Sequence, residues 1–141
     1  MDAAVDAICI YFERLSRADL ARIDRIYTDD AWFKDPFNEV QGRAAIARIF
    51  EHMFDTLEAP RFVIHERIVQ GANCFLAWDF VFQRQARPFV IRGGSHLTLA
   101  ADARIARHRD YWDAAEELYA KLPLIGAPMR WLRRRLSVAL R

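Results

Sequence analysis

The stretch Cys74-Phe75-Leu76-Ala77-Trp78-Asp79-Phe80-Val81-Phe82-Gln83 decides how this chain folds. Aromatic and aliphatic residues dominate it, Asp79 is its one charge, and neither Gly nor Pro interrupts it. It therefore reads as a strand over Cys74–Gln85, and if both its faces are covered Asp79 lies in low dielectric. Arg61–Gln70 precedes it, and Phe89–Ala100 and Arg104–Trp112 follow it, each with strand texture. The links Gly71-Ala72-Asn73, Ala86-Arg87-Pro88 and Ala101-Asp102-Ala103 are short enough for antiparallel hairpins. Residues 61–112 thus predict a long meander.

Upstream of the meander the period changes from two to that of a helix. Val5, Ile8, Cys9, Phe12 and Leu15 give a first amphipathic helix, Ala3–Leu15. Ser16 with Asp19 forms a capping-box pattern that restarts the chain as a second helix bearing Leu20, Ile23, Ile26 and Tyr27. A short strand follows over Ala31–Asp35, because the residue before Pro36 is driven from helical geometry. After Gly42 comes a third helix, whose wide stripe of Ala45, Ile46, Ile49, Phe50, Met53, Phe54 and Leu57 suits a sheet face. Ala114–Leu122 reads as a short helix and Met129–Leu140 as a final one. The pattern predicts an α+β domain: a cone-shaped, strongly curved mixed or antiparallel sheet with three N-terminal-half helices on its concave face, plus a C-terminal helix. The hollow between sheet and helices is the expected ligand site.

Composition narrows the class. At 141 residues and 53% hydrophobic, the chain can bury a core of its own. Its net charge of +2 is nearly balanced, apart from Arg130, Arg133, Arg134, Arg135 and Arg141 in the tail. Trp131 is the one aromatic among those arginines, so nucleic-acid binding is not expected. Cys9 and Cys74 lie in apolar contexts and read as buried free thiols. His65, His96, His108 and Cys74 lack ligand spacing, so no metal is expected. The acidic start Met1-Asp2-Ala3-Ala4-Val5-Asp6 is not a signal peptide, and a cytoplasmic location follows as the expectation.

The candidate site residues are polar groups inside apolar patterns. Asp79 is either a structural carboxylate bonded to Arg92 or another arginine, or an acid in a pocket. Alternation over Ile105–Asp113 puts Ala106, His108, Asp110 and Trp112 on one face, the inner one, and Arg107, Arg109, Tyr111 and Asp113 on the other. Asp35 shares a strand face with Ala31 and Phe33. On the third meander strand, Arg92 and His96 share one parity and are read as facing the same hollow. Gly93-Gly94 beside them marks a bulge or a close backbone approach. Several carboxylates around one hollow would push at least one pKa upward and separate an acid from a base.

The run Tyr27-Thr28-Asp29-Asp30-Ala31-Trp32-Phe33-Lys34-Asp35-Pro36-Phe37, with Gly42-Arg43-Ala44-Ala45-Ile46, resembles the ketosteroid isomerase-like and SnoaL-like members of the nuclear transport factor 2-like superfamily. That resemblance implies Asp35 as catalytic base and Tyr11, in the first helix, as oxyanion donor. The family's second oxyanion acid would fall at Ser95-His96, where no acid stands. Arg109-Asp110-Tyr111-Trp112-Asp113 and Leu122-Pro123-Leu124-Ile125-Gly126 resemble the end of limonene-epoxide hydrolases. Their two catalytic aspartates correspond to Asp110 and Asp79. Their bridging arginine falls at Ala77, and their water-holding tyrosine and asparagine fall at Phe33 and Asp35.

The expectation is a small-molecule pocket protein. As a cofactor-independent acid/base enzyme of isomerase or hydrolase type, it would act on a steroid-, terpenoid- or polyketide-like substrate. Asp35, Tyr11, Asp79 and Asp110 are its candidate catalytic groups. Phe12, Leu15, Phe33, Phe50, Val81, Arg92, His96, His108 and Trp112 are its candidate binding groups. The alternative is a non-catalytic module for a hydrophobic metabolite or lipid. Residues 1–126 would form the domain and 127–141 a basic helical extension, which is expected to dock rather than to touch a membrane. Homodimerisation through the outer sheet face is the expected assembly, with Trp78, Phe80 and Phe82 either serving it or packing under the third helix.

Overall fold

In the computed structural model, which describes residues 2–117 and 123–136, six strands form one curved, unclosed sheet. Helix α1 (Asp2–Glu13) and a 3-10 segment (Arg17–Arg25) come first. Strands β1 (Tyr27–Lys34) and β2 (Glu39–Gln41) follow, then helix α2 (Arg43–Thr56). The meander is β3 (Glu58–Gln70), β4 (Asn73–Arg84), β5 (Arg87–Leu99) and β6 (Ile105–Tyr111). Short α3 (Ala114–Glu117) and α4 (Pro123–Leu136) close the described chain. The expected helix Ala114–Leu122 is described only to Glu117, and the tail positions Val138, Leu140 and Arg141 also lie outside the described residues. The final helix begins at Pro123 rather than Met129 and runs through Pro128.

The strand order is β2-β1-β6-β5-β4-β3, with β1 and β6 parallel and every other pair antiparallel. That single parallel pairing places the N-terminal strand inside the sheet, between β2 and β6. It sets Phe33 opposite His108. Gly42 makes the approach to α2 possible, since its φ of +98° favours a residue without Cβ, and its N–H donates to the Ala31 carbonyl at 2.8 Å. The second expected helix is 3-10 in type. Ser16 donates its N–H and hydroxyl to the Asp19 carboxylate at 2.9 and 2.8 Å, as the capping pattern implied.

Alternation sorts the meander into two faces. On β4, Cys74, Leu76, Trp78 and Phe82 are buried, with Phe80 half-buried between them. They meet Val5, Ile8 and Phe12 of α1 and Ile46 and Phe50 of α2 in one core. Each large side chain removed from water there contributes roughly 1.5–3 kcal/mol. Trp78, Phe80 and Phe82 therefore lie on the inner face, the second of the two placements open to them. Cys9 and Cys74 are free and buried. Among the described residues no helix is long and apolar enough to cross a membrane.

Candidate active site

Strand β6 delivers His108 and Asp110 to the inner face two residues apart, while its arginines point outward, Arg107 over the Trp32 ring and Arg109 over the Tyr111 ring. His108 is 4% exposed. Phe12 and Phe33 pack on its ring, and Tyr27 stacks against it with the planes 10° apart. Register fixes the rest, because Ser95 of β5 stands directly opposite Asp110.

These groups form a chain of hydrogen bonds. The Tyr27 hydroxyl lies 2.7 Å from His108 Nδ1, and His108 Nε2 lies 2.6 Å from Asp110 Oδ1. Ser95 Oγ donates to the same Oδ1 at 2.5 Å and accepts from Trp78 Nε1 at 2.8 Å. Donor directions follow from Tyr27, which is fully buried. Desolvation first, and the nearby Asp110 charge second, hold its phenol protonated well above the ordinary value. With the phenol as donor, Nδ1 of His108 accepts, so Nε2 carries the proton and gives it to Asp110. The two arms of the cluster thus end in two donors, His108 Nε2–H and Ser95 Oγ–H, on one carboxylate oxygen.

Both hydrogen bonds to Asp110 fall on Oδ1, and among the described residues none falls on Oδ2. No buried side-chain oxygen or nitrogen there lacks a partner, so Oδ2 faces open space. Asp110 borders a cavity of about 620 Å³. Its walls near Asp110 are Phe33, Phe50, Phe62, Trp78, Phe80 and Trp112, and Arg84, Gln85 and Arg87 lie at the opposite rim. A recess of about 20 Å³ lies on the core side of Asp110, which is room for one water. Gly93 is a condition for this geometry. A Cβ there would stand 2.7 Å from Trp78 Cη2, so only glycine lets the indole cross β5 toward Ser95.

The sequence-predicted residues divide into two groups. Asp110, Phe33, Phe50, Trp112 and Asp35 line the cavity. His108 and Phe12 line the recess beside Asp110. Asp35 sits just past β1 at the rim, where its Oδ1 accepts the N–H groups of Phe37 and Asn38 at 2.8 and 2.7 Å. Tyr11 donates to the Asp19 carbonyl at 2.9 Å, and its phenol is pushed up to about 12, by burial first and the Asp19 charge second. Neither Tyr11 nor Leu15 belongs to the described cavity wall. Leu15 packs against the core instead.

Strand parity carries the other four away from the cavity. Asp79 lies on the outer face, 3.0 Å from His65 Nε2, and does not meet Asp110. It stands opposite Arg92 in register, yet Arg92 turns to Glu117, 2.9 Å away and 4% exposed. Val81 shares the outer face with Asp79. His96 is exposed and bonds Asn73 at 3.1 Å. The reading that sent Arg92 and His96 inward is corrected: the β4–β5 register runs unbroken through Gly93 and Gly94, so the inward parity belongs to Ile91, Gly93 and Ser95. The glycines mark close approach, of Trp78 to one and Phe75 to the other. Sequence reasoning missed Ser95, Trp78 and Tyr27 as site members. Ser95 had a signal, as the one polar residue on that inward parity between Ile91 and Leu99.

The profile of the SnoaL-like domain matches residues 10–108. The chain belongs to the SnoaL-like family. No curated protein sequence matches it. Solved structures of the same fold include a ketosteroid isomerase-like protein from Catenulispora acidiphila in complex with trimethylamine (16% identity, TM-score 0.71, covering 91% of this chain and 95% of that one). Another is an epoxide hydrolase of the limonene-epoxide hydrolase-like type from M. tuberculosis (18%, 0.69, 81% and 85%). A third is TsrD from Streptomyces laurentii (15%, 0.72, 83% and 92%). At such identities these likenesses establish the SnoaL-like fold, which hosts isomerases and epoxide hydrolases alike.

Proposed function

We propose that this SnoaL-like protein is a cofactor-independent acid/base enzyme in which Asp110 is the general base toward a small hydrophobic substrate. The observation that carries this reading is the hydrogen-bonding of Asp110: Oδ1 takes the donors of His108 and Ser95, Oδ2 takes none among the described residues, and the residue lines an aromatic cavity. A carboxylate held on one oxygen is fixed in orientation, and the other oxygen is left to receive a proton. The isomerase form needs one carboxylate that can shuttle a proton, and Asp110 is the cavity-lining acid held by side-chain donors on one oxygen. Asp110 takes a proton from carbon next to a carbonyl and returns it to another carbon of the same molecule. The water-sized recess beside Asp110 supports a second form, in which the carboxylate activates water for hydrolysis. We further propose a homodimer in the reducing cytoplasm, formed through the outer sheet face where Ile68, Phe75 and Tyr111 stand exposed.

The test compares wild type, Asp110→Asn and Asp79→Asn on unsaturated ketones and on epoxides. Migration of the double bond into conjugation, read by ultraviolet absorbance, reports isomerisation, and labelled oxygen from water reports hydrolysis. Loss of a positioned base costs about 10²–10⁴-fold in rate, so Asp110→Asn is expected to lose at least a hundredfold while Asp79→Asn stays near wild type. If wild type turns over neither class, or Asp110→Asn retains full turnover, Asp110 is not a base. The cavity would then be a binding site alone.

A further inference from the structure

We propose that the cavity binds an elongated carboxylic acid, with its carboxylate between Arg84 and Arg87 at the rim and its apolar body reaching inward to Asp110. Only the orientation of the reacting end rests on the reading of Asp110 as base; the anion site stands on other residues. Arg84 and Arg87 are directly opposite each other at the end of the β4–β5 hairpin, and both line the cavity. The turn between them, Gln85-Ala86, has positive φ at both residues (53° and 62°), a tight geometry that holds the two strand ends together. Like charges directly opposite on a sheet are destabilising. Here no protein acid relieves the pair: ion pairs among the described residues engage Arg17, Arg22, Arg43, Arg67, Arg92 and Arg104, and neither rim arginine. Two guanidinium groups facing one opening, without a protein counter-ion, suit an anion from the ligand.

Three further observations narrow that ligand. The wall next to the arginines is aromatic, with Phe82 and Phe89 stacked at 5.3 Å and Phe80 beside them at 5.4 Å, so the body behind the anion is apolar. Arg87 lies eight residues along β5 from Ser95, the residue opposite Asp110. At ~3.3 Å per residue that backbone separation is about 26 Å, an upper bound that leaves room for a medium-chain or polycyclic acid once the side chains at both ends are allowed for. His52 and Thr56 reach the cavity from the last turn of α2. A helix C-terminus carries partial negative charge, which favours a singly charged carboxylate over a phosphate dianion. Asp110 at the inner end repels the same headgroup and so sets the direction of entry.

Dodecanoate, dodecyl phosphate and dodecanol serve as probes, with affinity read from the fluorescence of Trp78 and Trp112 and checked by calorimetry. Two solvent-exposed Arg–carboxylate pairs give a preference of about tenfold at most for dodecanoate over dodecanol, shrinking with added salt. Arg84→Gln with Arg87→Gln is expected to abolish the preference and leave dodecanol affinity unchanged. Each single variant should lower it by about threefold, which keeps the test valid if the double variant folds poorly. Asp110→Asn should keep the preference, so a failure of the base assignment and a failure of the anion site are told apart. Equal binding of acid and alcohol, no binding of the acid, a preference surviving the double variant, or tighter binding of the phosphate would each overturn the proposal.

Discussion

Tyr27→Phe tests the donor logic on which the whole Asp110 cluster depends. The substitution removes one oxygen from a side chain that is fully buried, stacked on His108 and 2.7 Å from its Nδ1. The phenylalanine ring fits the same space, so no cavity term enters. What is lost is one buried hydrogen bond, and His108 Nδ1 is left as an acceptor without a donor. Such an orphan costs about 1–3 kcal/mol. The imidazole can reduce that cost by shifting its ring proton or by turning in its slot, and either change weakens its bond to Asp110. We expect a stability loss of about 1–3 kcal/mol by urea denaturation at unchanged slope. In wild type, nitrogen shifts of the His108 ring should show the proton on Nε2. In Tyr27→Phe that preference should weaken, and turnover should fall about tenfold as Asp110 loses a fixed donor. A variant as stable as wild type, with the Nε2 proton still in place, would refute the argument that the phenol sets the tautomer.

The other predictions concern the rim acid, the glycine under Trp78 and alkaline stability. Asp35→Asn keeps an oxygen able to accept from Phe37 and Asn38; if Asp110 is the base, this variant loses less than about tenfold where Asp110→Asn loses at least a hundredfold, and the reverse order in steady-state rates would transfer the role to Asp35. Gly93→Ala brings a Cβ within 3.0 Å of Trp78, the Tyr111 carbonyl and Trp112 Cβ, so it should cost about 1–3 kcal/mol in urea denaturation, and a cost under about 0.5 kcal/mol would show that the indole is free to move. Burial first, with Cys9 adding to it, pushes the Cys74 thiol from 9.0 up to about 11, and Tyr11 goes from 10.0 to about 12. The unfolded chain sheds these protons first, so stability is full below pH 9 and declines through pH 9–12. Cys74→Ala, itself costing about 1 kcal/mol at neutral pH, should show a shallower decline between pH 9 and 11 in the same denaturation series.

How far the sequence disclosed the site depended on strand contrast. On β6 the alternation of His108 and Asp110 against Arg107 and Arg109 is chemically sharp, and the inner face could be read from it directly. On β4 there is no such contrast. Phe75, Ala77 and Val81 on the outside are as apolar as Leu76, Trp78 and Phe80 on the inside, so the periodicity of that segment leaves the face of Asp79 undetermined. The fold puts that charge beside His65 on the outer face. On β5 the glycine pair hid the parity. Assuming continuous alternation from Ile91 to Leu97 would have put Ser95 inside and Arg92 and His96 outside, as the register has it.

The remaining part of the site has no local signature at all. Tyr27 and His108 are 81 residues apart, and they meet because β1 runs parallel to β6 inside the sheet. A meander read from its hairpins says nothing about that pairing, because no tight turn encodes a parallel contact. Yet that pairing is what makes the Tyr27 phenol a donor, sealing it from water beside a carboxylate whose charge opposes its ionisation. From that one constraint follow the His108 tautomer, the loading of donors on Asp110 Oδ1, and an Oδ2 that takes none among the described residues. The chemistry proposed for Asp110 therefore depends on sheet topology as much as on the aspartate itself. Moving the same carboxylate one residue along β6 would turn it outward among the arginines, where it would be an ordinary surface ion pair.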